Sequence, residues 1–340
     1  MKKVLLTGGA GYIGSHICLE LVQHGYMPVI VDNFSASDRR IIERTQRLAG
    51  SAFPVHELDC RNTPRLRALL EQEEEIIGVI HLAAHKSVGV SVKHPRDYYD
   101  NNVGALLSLL AALETTCIER LVFSSSCTVY GQPKRVPVTE ESPIARAESP
   151  YGRTKQMCEA ILDDVVAASP LQVVTLRYFN PVGAHPSGLI GELPLGKPET
   201  LVPYITQTAA GQRTELVVFG SDYPTRDGTC VRDYLHVVDL ASAHVAALAW
   251  LERRGGAAFN EIFNLGTGRG VSVLEAIAAF EQAAETKLDY RFGPRRPGDV
   301  IEVYADAEKA RRELNWHARF GILDAMRDAW RWQRNIARGL

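Results

Sequence analysis

The sequence lacks the features of secreted, membrane-bound and nucleic-acid-binding proteins. Its six cysteines are scattered and form no C-x-x-C pair, which excludes a disulfide framework or a zinc ribbon and indicates a reducing, cytoplasmic location. No apolar run approaches the roughly 20 residues of a membrane span, and the glycine-interrupted N-terminus does not have the pattern of a signal peptide. The net charge of −2 provides no basic field. We therefore expect no metal, membrane or nucleic-acid partner.

What is present is the composition of a soluble globular protein. Of the 340 residues, 46% are hydrophobic and 23% charged, and the chain is long enough to form two lobes around large cores. We find no internal repeat and no low-complexity segment. The fold class must therefore be predicted from the order of the helices and strands.

The first thirty-odd residues predict a strand, a glycine turn, a helix and a second strand. An apolar run over 3–7 ends in glycines, a helical pattern follows from Tyr12, and the apolar run 28–31 ends at Asp32. Gly8, Gly11 and Gly14 space the turn so that a pyrophosphate can approach the backbone and meet the positive end of the helix. This order of elements predicts a dinucleotide site.

Asp32 indicates which dinucleotide is bound. It falls 18 residues after Gly14, where a carboxylate can accept hydrogen bonds from the adenosine ribose. The same charge repels a 2′-phosphate, which favours NAD over NADP. Arg39 and Arg40 argue in the other direction, although we interpret them as solvated residues at the start of a helix.

Strands and helices go on alternating, which predicts an α/β fold with a doubly wound parallel sheet. The expected strands are 55–58, 78–82, 120–124 and 171–178; the expected helices are 66–70, roughly 96–116 and one beginning at Tyr151. Ligands of such sheets bind beyond the carboxyl ends of the strands. The loops at that edge should therefore form one crevice together with the glycine turn.

A second lobe begins after residue 180. Residues 179–200 are rich in proline and glycine and predict a loop, followed by a helix at 201–210 and a strand at 215–219. We expect 231–238 to be strand-like and Asp239 to cap the next helix. The NAD-binding domain then comprises 1–180 plus about 232–267, and a smaller, discontinuous substrate domain comprises about 181–231 plus 268–340.

The helix beginning near Tyr151 carries the candidate chemistry. Ser149 and Pro150 suit its cap and first turn, and the i, i+4 spacing places Tyr151 and Lys155 on one face. A free phenol has a pKa of about 10 and is a poor base at neutral pH. A nearby cation favours the phenolate and makes acid–base chemistry possible.

These motifs resemble the extended short-chain dehydrogenase/reductase superfamily and, within it, the UDP-glucose 4-epimerase family. The resemblance covers nearly the whole chain and is carried by the segments Thr7–His16, Tyr98–Val103, Phe123–Gly131, Leu176–Gly188 and Val231–Val237. It implies a tightly held NAD⁺ that is regenerated in every turnover. Tyr151 would take the proton of the sugar O4, and Ser126 would relay it. Lys155, together with the positive charge of the nicotinamide, would lower the pKa of Tyr151 and would hold the nicotinamide ribose.

The resemblance also assigns the binding residues. The cofactor site would comprise Gly8, Gly11, Tyr12, Ile13, Gly14, Asp32, Asn33, Asp59, Cys60, Leu82, Ala83, Lys86, Asn101, Ser124, Tyr151, Lys155 and Tyr178. The nucleotide-sugar site would comprise Lys86, Ser126, Tyr151, Phe179, Asn180, Thr200, Leu201, Phe219, Arg232, Tyr234, Arg296, Asp299 and Val303. An arginine fork suits a diphosphate, although Arg295 and Arg296 could instead form a solvated loop pair. For Asn101, a cofactor contact and an ordinary helix-face amide are equally compatible with the sequence.

The chain departs from the family pattern at three places. Residues 83–85 read Ala-Ala-His where Ala-Gly-Leu is more common, and Glu199-Thr200 replaces a pair of asparagines. The second change removes an amide contact to the substrate phosphates or transfers it to the Thr200 hydroxyl. Val303 stands where some members have a tyrosine, which leaves room for an N-acetyl group and predicts activity on UDP-GlcNAc and UDP-GalNAc.

Related activities provide the alternatives. A sugar-nucleotide 4,6-dehydratase needs an Asp-Glu pair where this chain has Cys127-Thr128, and Cys127 is one position away from the cysteine of the GDP-sugar epimerase/reductases. An epimerase that prefers UDP-GlcNAc or a uronate stays open, whereas an NAD sensor would not need both Tyr151 and Lys155. The resemblance also implies a homodimer formed through the helices near 96–116 and 150–168.

Overall fold

The computed structural model describes residues 1–296 and 298–339 and has two lobes. The elements of the first part of the chain are β1 (Lys3–Thr7), α1 (Tyr12–Gln23), β2 (Met27–Asp32), α2 (Arg39–Ala49), β3 (Val55–Glu57), α3 (Thr63–Gln72), β4 (Ile76–His81), α4 (Val88–Lys93), α5 (Pro95–Tyr98), α6 (Gly104–Leu113), β5 (Arg120–Ser124), α7 (Pro150–Ala168) and β6 (Gln172–Tyr178). A π-helical turn, Tyr99–Val103, joins α5 to α6, and a 3₁₀ turn, Cys127–Tyr130, follows β5.

Shorter strands and four further helices form the rest. They are β7 (Asn180–Val182), α8 (Leu201–Ala209), β8 (Leu216–Phe219), β9 (Val231–Arg232), β10 (Tyr234–His236), α9 (Val237–Arg254), β11 (Phe259–Leu265), β12 (Val271–Ser272), α10 (Val273–Ala284), β13 (Tyr290–Gly293), β14 (Glu302–Val303) and α11 (Ile322–Ala337), with a π-helical turn at Ala310–Leu314. None of the helices in the described part of the chain is both long and apolar enough to cross a membrane.

A seven-stranded parallel sheet, in the order β11-β6-β5-β4-β1-β2-β3, confirms the predicted fold class. The central strands are buried on both faces, and successive side chains point to opposite sides of the sheet. In β1, Val4 and Leu6 pack in the core that contains α1 and α9, whereas Leu5 packs with α3 and α6. The late strand β11 joins this sheet beside β6, and we expect its segment, about 232–267, to belong to the same domain as the sheet.

The second lobe has its own core. Short strands β8 and β13 pair with each other, and β9 lies between β12 and β14. Helices α8, α10 and α11 cover an apolar cluster that includes Ile205, Phe280 and Met326.

The helical stretch predicted over roughly 96–116 is confirmed as α5, the π-helical turn and α6, and Asn102 of that turn bonds with His85 and Thr154. Two other local predictions are wrong. The strand expected over 231–238 divides into β9 and β10 at Asp233, whose carboxylate bonds to a neighbouring loop. Here a buried polar side chain bonds outside its own element and outweighs local propensity.

The other wrong prediction is the cap of α9. The ring Nδ1 of His236 accepts from the Val238 N–H at 3.1 Å and caps the helix. Asp239 lies in the first turn instead, where a carboxylate is favoured by the helix dipole. It is fully buried and accepts from the N–H groups of Arg319 and Phe320 at 2.8 and 2.9 Å. Asp239 therefore joins α9 to the loop before α11.

This arrangement predicts unequal effects for the two partners of the Asp239–Arg319 ion pair. Asp239→Ala leaves two backbone N–H groups without an acceptor, and we expect it to lower the free energy of unfolding by about 3 kcal/mol. The Arg319 side chain is 53% exposed, so Arg319→Gln should cost less than about 1 kcal/mol. Urea denaturation of both variants measures the difference, and equal losses would contradict this account.

Candidate active site

The glycine turn between β1 and α1 is shaped by close backbone contacts. A Cβ on Gly14 would lie 2.4 Å from the Gly8 carbonyl oxygen, and a Cβ on Gly8 would lie 2.9 Å from the Ala83 nitrogen. Gly8 also has a φ of +73°, which favours glycine. Because Gly11 precedes α1 and has no side chain to cap it, the first N–H groups of the helix can bind an anion. The turn therefore fits a pyrophosphate.

Asp32, at the end of β2, stabilises this turn by hydrogen bonds. Its buried carboxylate accepts from the Ala10 N–H at 3.0 Å, from the Phe34 N–H at 2.9 Å and from the Ser37 hydroxyl at 2.9 Å. Arg39 and Arg40 are exposed and bound to Glu57 and Asp38. They are surface residues at the start of α2, as we interpreted them, and their partners are carboxylates other than Asp32.

The other residues predicted for the cofactor follow the strand ends in order. Tyr12 and Ile13 begin α1, Asn33 follows β2, Asp59 and Cys60 follow β3, Leu82, Ala83 and Lys86 follow β4, Ser124 ends β5, Tyr178 ends β6, and Asn101 lies in the π-helical turn. Arg61 lowers the pKa of Asp59 to about 2, chiefly through a hydrogen bond. Asn101 donates to Asn102 at 3.0 Å, and the buried Asn102 is the residue that ties this turn to α7.

Helix α7 brings Tyr151 and Lys155 against the end of β5. Ser149 caps the helix by accepting from the Gly152 N–H at 3.2 Å, as predicted. Tyr151 and Lys155 are both buried, and the Lys155 ammonium donates to the Ser124 carbonyl at 2.7 Å. That ammonium also lies 4.9 Å above the Phe123 ring. The lysine is thus held by the strand end rather than left free in the crevice.

Burial dominates the electrostatics of Tyr151 in the protein without its cofactor. Burial, reinforced by the neighbouring Tyr178, raises the pKa of Tyr151 well above its usual range, whereas the Ser126 hydroxyl acts in the opposite direction. Burial also lowers the pKa of Lys155. Lys155 alone therefore does not bring the phenol into the range of a base at neutral pH. Tyr151, Tyr178 and Ser126 nevertheless meet in one buried group, as a proton relay requires.

The second lobe contributes a cluster of cationic groups. Arg296 bonds Asp299 at 2.7 Å, and Arg232 of β9 lies 3.8 Å from the same carboxylate. Arg295 instead binds Asp222, and the side chains of Arg295 and Arg296 are 46% and 53% exposed, so a solvated loop position stays open for both. The Arg296 guanidinium also lies 5.8 Å from the exposed Phe219 ring. Pro297, between these groups, lies outside the described residues.

Apolar and amide groups complete the facing wall. Phe179 and Val303 are buried in one cluster with Val129 and Tyr130, next to Cys127. Tyr234 of β10 is buried in the core of the second lobe. The buried Oδ1 of Asn180 has no hydrogen-bond partner among the described residues, which fits a polar group that binds a ligand.

Lys86 and Thr200 meet across the crevice through a residue that the sequence analysis missed. Glu192 accepts from the Lys86 ammonium at 2.7 Å and from the Thr200 hydroxyl at 3.1 Å. Leu201, the first residue of α8, follows directly. Nothing in the local sequence distinguishes Glu192, because its two partners are 106 and 8 residues away.

Comparison with known proteins agrees with this geometry. The family described as GDP-mannose 4,6 dehydratase matches residues 5–329. The chain is 51% identical to UDP-glucose 4-epimerase 2 of Arabidopsis thaliana over 98% of this chain and 95% of that protein. It belongs to the UDP-glucose 4-epimerase family. The resemblance seen in the sequence is therefore confirmed over nearly the full length of the chain.

Solved structures of other members of the UDP-glucose 4-epimerase family superpose on the whole chain. The enzyme of Stenotrophomonas maltophila, crystallised with NAD and formylated UDP-arabinopyranose, is 49% identical, with a TM-score of 0.96 and full coverage of both chains. The enzyme of Bifidobacterium longum, crystallised with NAD⁺ and UDP, is 44% identical, with a TM-score of 0.95 and the same coverage. The structural similarity therefore extends over both lobes.

Proposed function

We propose that this enzyme interconverts UDP-galactose and UDP-glucose with a bound NAD⁺ that is unchanged at the end of each turnover. The observation that carries the proposal is the meeting of Tyr151, Ser126 and Lys155 beside a glycine turn that fits a dinucleotide. The full-length likeness to epimerases that bind NAD and UDP-sugars supports it. The alternative of an enzyme that prefers a uronate has no such support.

The protein groups divide the work in a way that their positions allow. When bound, NAD⁺ accepts a hydride from C4 of the sugar and returns it to the opposite face. Tyr151 takes the proton of the O4 hydroxyl and gives it back, and Ser126 relays that proton. Lys155 adds positive charge beside the phenol. Because burial raises the pKa of Tyr151, the phenolate also depends on the positive charge that the cofactor brings.

The second lobe holds the nucleotide while the 4-keto sugar rotates to present its opposite face. Arg232 and Arg296 provide the cationic groups for the diphosphate, and Asn180 provides an amide whose Oδ1 is otherwise without a partner. Thr200 and Lys86 lie at the same edge through Glu192. We assign the remaining residues that the resemblance names to these two binding regions. We also propose that the chain passes from one lobe to the other near residues 180, 231 and 267.

The direct test is an assay without added reductant. The purified enzyme should convert UDP-galactose to UDP-glucose with no net formation of NADH, and denaturation should release NAD. Net production or consumption of NADH would favour a dehydrogenase. A 4-keto-6-deoxy product would favour a dehydratase, and an absence of turnover would contradict the proposal.

Tyr151→Phe tests the role of the phenol. We expect turnover to fall about 10²–10⁴-fold, the usual contribution of a general base, while the released NAD stays unchanged. Tyr26→Phe is the matched control, because Tyr26 loses the same hydroxyl at the start of β2 and bonds only Glu252. Normal turnover by Tyr151→Phe would remove Tyr151 from the mechanism.

The small side chain at Val303 favours a second substrate pair. Val303 is buried beside Phe179 in the wall next to Cys127, and valine leaves more room there than an aromatic residue would. We propose that the enzyme also interconverts UDP-GlcNAc and UDP-GalNAc. Val303→Tyr should abolish this activity and keep turnover of UDP-galactose, whereas Val303→Ala should keep both. If the native enzyme does not turn over UDP-GlcNAc, this second activity is wrong.

We also propose a homodimer in the cytoplasm, formed through α6 and α7. Leu107 of α6 and Met157 of α7 are 49% and 40% exposed, which is unusual for large apolar side chains on neighbouring helices. Leu107→Glu together with Met157→Glu should convert the dimer to a monomer in analytical ultracentrifugation. Leu195→Glu, at an equally exposed loop position, is the control. A monomeric native enzyme would refute the dimer.

A further inference from the structure

Glu159 lies one turn beyond Lys155 on α7, at a position to which the mechanism gives no role. Its carboxylate bonds Arg177 of β6 through two guanidinium nitrogens: the Arg177 Nε lies 3.0 Å from Oε1, and the terminal nitrogen lies 2.6 Å from Oε2. The two side chains are only 5% and 3% exposed. A buried ion pair of this kind is weak evidence for stability, since apolar residues often pack as well. Stability alone therefore does not explain why this ion pair lies in the core.

The same carboxylate holds the strand end that carries the proton relay. The Ser125 hydroxyl donates to Glu159 Oε1 in a short hydrogen bond. Ser125 stands between Ser124, whose carbonyl accepts from Lys155 at 2.7 Å, and Ser126, the proposed relay. Helix α7 thus holds this three-residue segment at two consecutive points, through Lys155 and through Glu159.

The guanidinium side of the pair is also fixed. A terminal nitrogen of Arg177 lies 3.1 Å from the Tyr130 hydroxyl, which donates to Asn264 at 2.7 Å. The same nitrogen lies 3.4 Å from the Glu140 carbonyl oxygen. These contacts hold the ion pair in one geometry, so the negative charge of Glu159 stays one helical turn from the Lys155 ammonium.

Titratable groups face Lys155 from the elements packed around it. They are Tyr151, Cys158 and Glu159 of its own helix and His81 of β4, with the Arg177 cation of β6 on the far side of Glu159. Burial raises the pKa of Cys158 to about 11 and lowers the pKa of His81 to about 3, so both are neutral at pH 7. Glu159 is the member of this group that is held in an ion pair.

We propose that Glu159 is a positioning residue of the epimerase reaction, which fixes the Ser124–Ser126 segment through Ser125 and holds a carboxylate one helical turn from Lys155. It acts through Lys155 and Ser125 and does not touch the substrate. The inference rests on the proposed function for its catalytic consequence, whereas its effect on Lys155 belongs to the enzyme without substrate. An opposite charge at this range raises the pKa of a lysine by one unit or more in many proteins.

Glu159→Gln tests this directly, because the amide keeps hydrogen-bonding capacity and loses the charge. We expect the pKa of Lys155, followed in the NAD-containing enzyme by NMR of ¹³C-labelled lysine and assigned with Lys155→Met, to fall by about one unit. The alkaline limb of the kcat profile should move to lower pH by the same amount. KM for UDP-galactose should stay within about twofold, since Glu159 does not contact the sugar nucleotide.

Asp164→Asn is the matched control. Asp164 is an exposed carboxylate on the same helix, and its removal should leave the pKa of Lys155 and the kcat profile unchanged. An equal shift in this variant would mean that Lys155 responds to net charge and not to Glu159, which would overturn the proposal.

A second variant keeps the test valid if Glu159→Gln does not fold. Replacing both partners, in Glu159→Leu/Arg177→Met, removes the ion pair and leaves no buried charge without a partner. The Lys155 pKa should fall here as well. A native Lys155 pKa in whichever of these variants folds would overturn the inference. Because the NMR measurement needs no substrate, this failure is distinguishable from failure of the epimerase assignment, which appears as absent turnover in the native enzyme.

Discussion

The hydrogen bond from the Lys155 ammonium to the Ser124 carbonyl is the interaction on which the site depends. A buried ammonium is costly unless a polar partner compensates for lost hydration, so Lys155 fixes the distance between α7 and the end of β5. Tyr151 is carried by the same helix and Ser126 by the same strand end. Their meeting therefore follows from one helix-to-strand contact, and the parallel sheet brings the glycine turn to the same edge.

Burial has two opposite consequences at this site. It raises the pKa of Tyr151, because a phenolate loses hydration in a closed pocket. It also lowers the local dielectric, which makes each nearby positive charge more effective than it would be in water. A phenol in this position changes protonation only when the cationic groups around it are complete. The same closure that disfavours the base in the protein alone thus makes it responsive to the cofactor and the lysine.

The sequence predicts the parts of this enzyme that depend on local pattern. Strand alternation predicts the parallel sheet, and Ser149 with Pro150 predicts the start of α7 to the residue. The errors arise where a buried carboxylate bonds far along the chain: Asp239 bonds backbone groups 80 residues away, and Asp233 bonds Thr267. Glu192 and Glu159 were missed for the same reason. Such partners leave no periodic signal, because the fold alone brings them together.

One buried carboxylate joins three segments that are far apart in the sequence. Asp233 is fully buried and accepts from the N–H groups of Thr267, Gly268 and Ala305. A Cβ on Gly266 would lie 2.3 Å from its Oδ2, so the turn after β11 fits against the carboxylate only as glycine. Because Arg232 directly precedes Asp233, the arginine is tied through this turn to a strand of the large sheet. The position of Arg232 is therefore set by the same sheet that positions Tyr151.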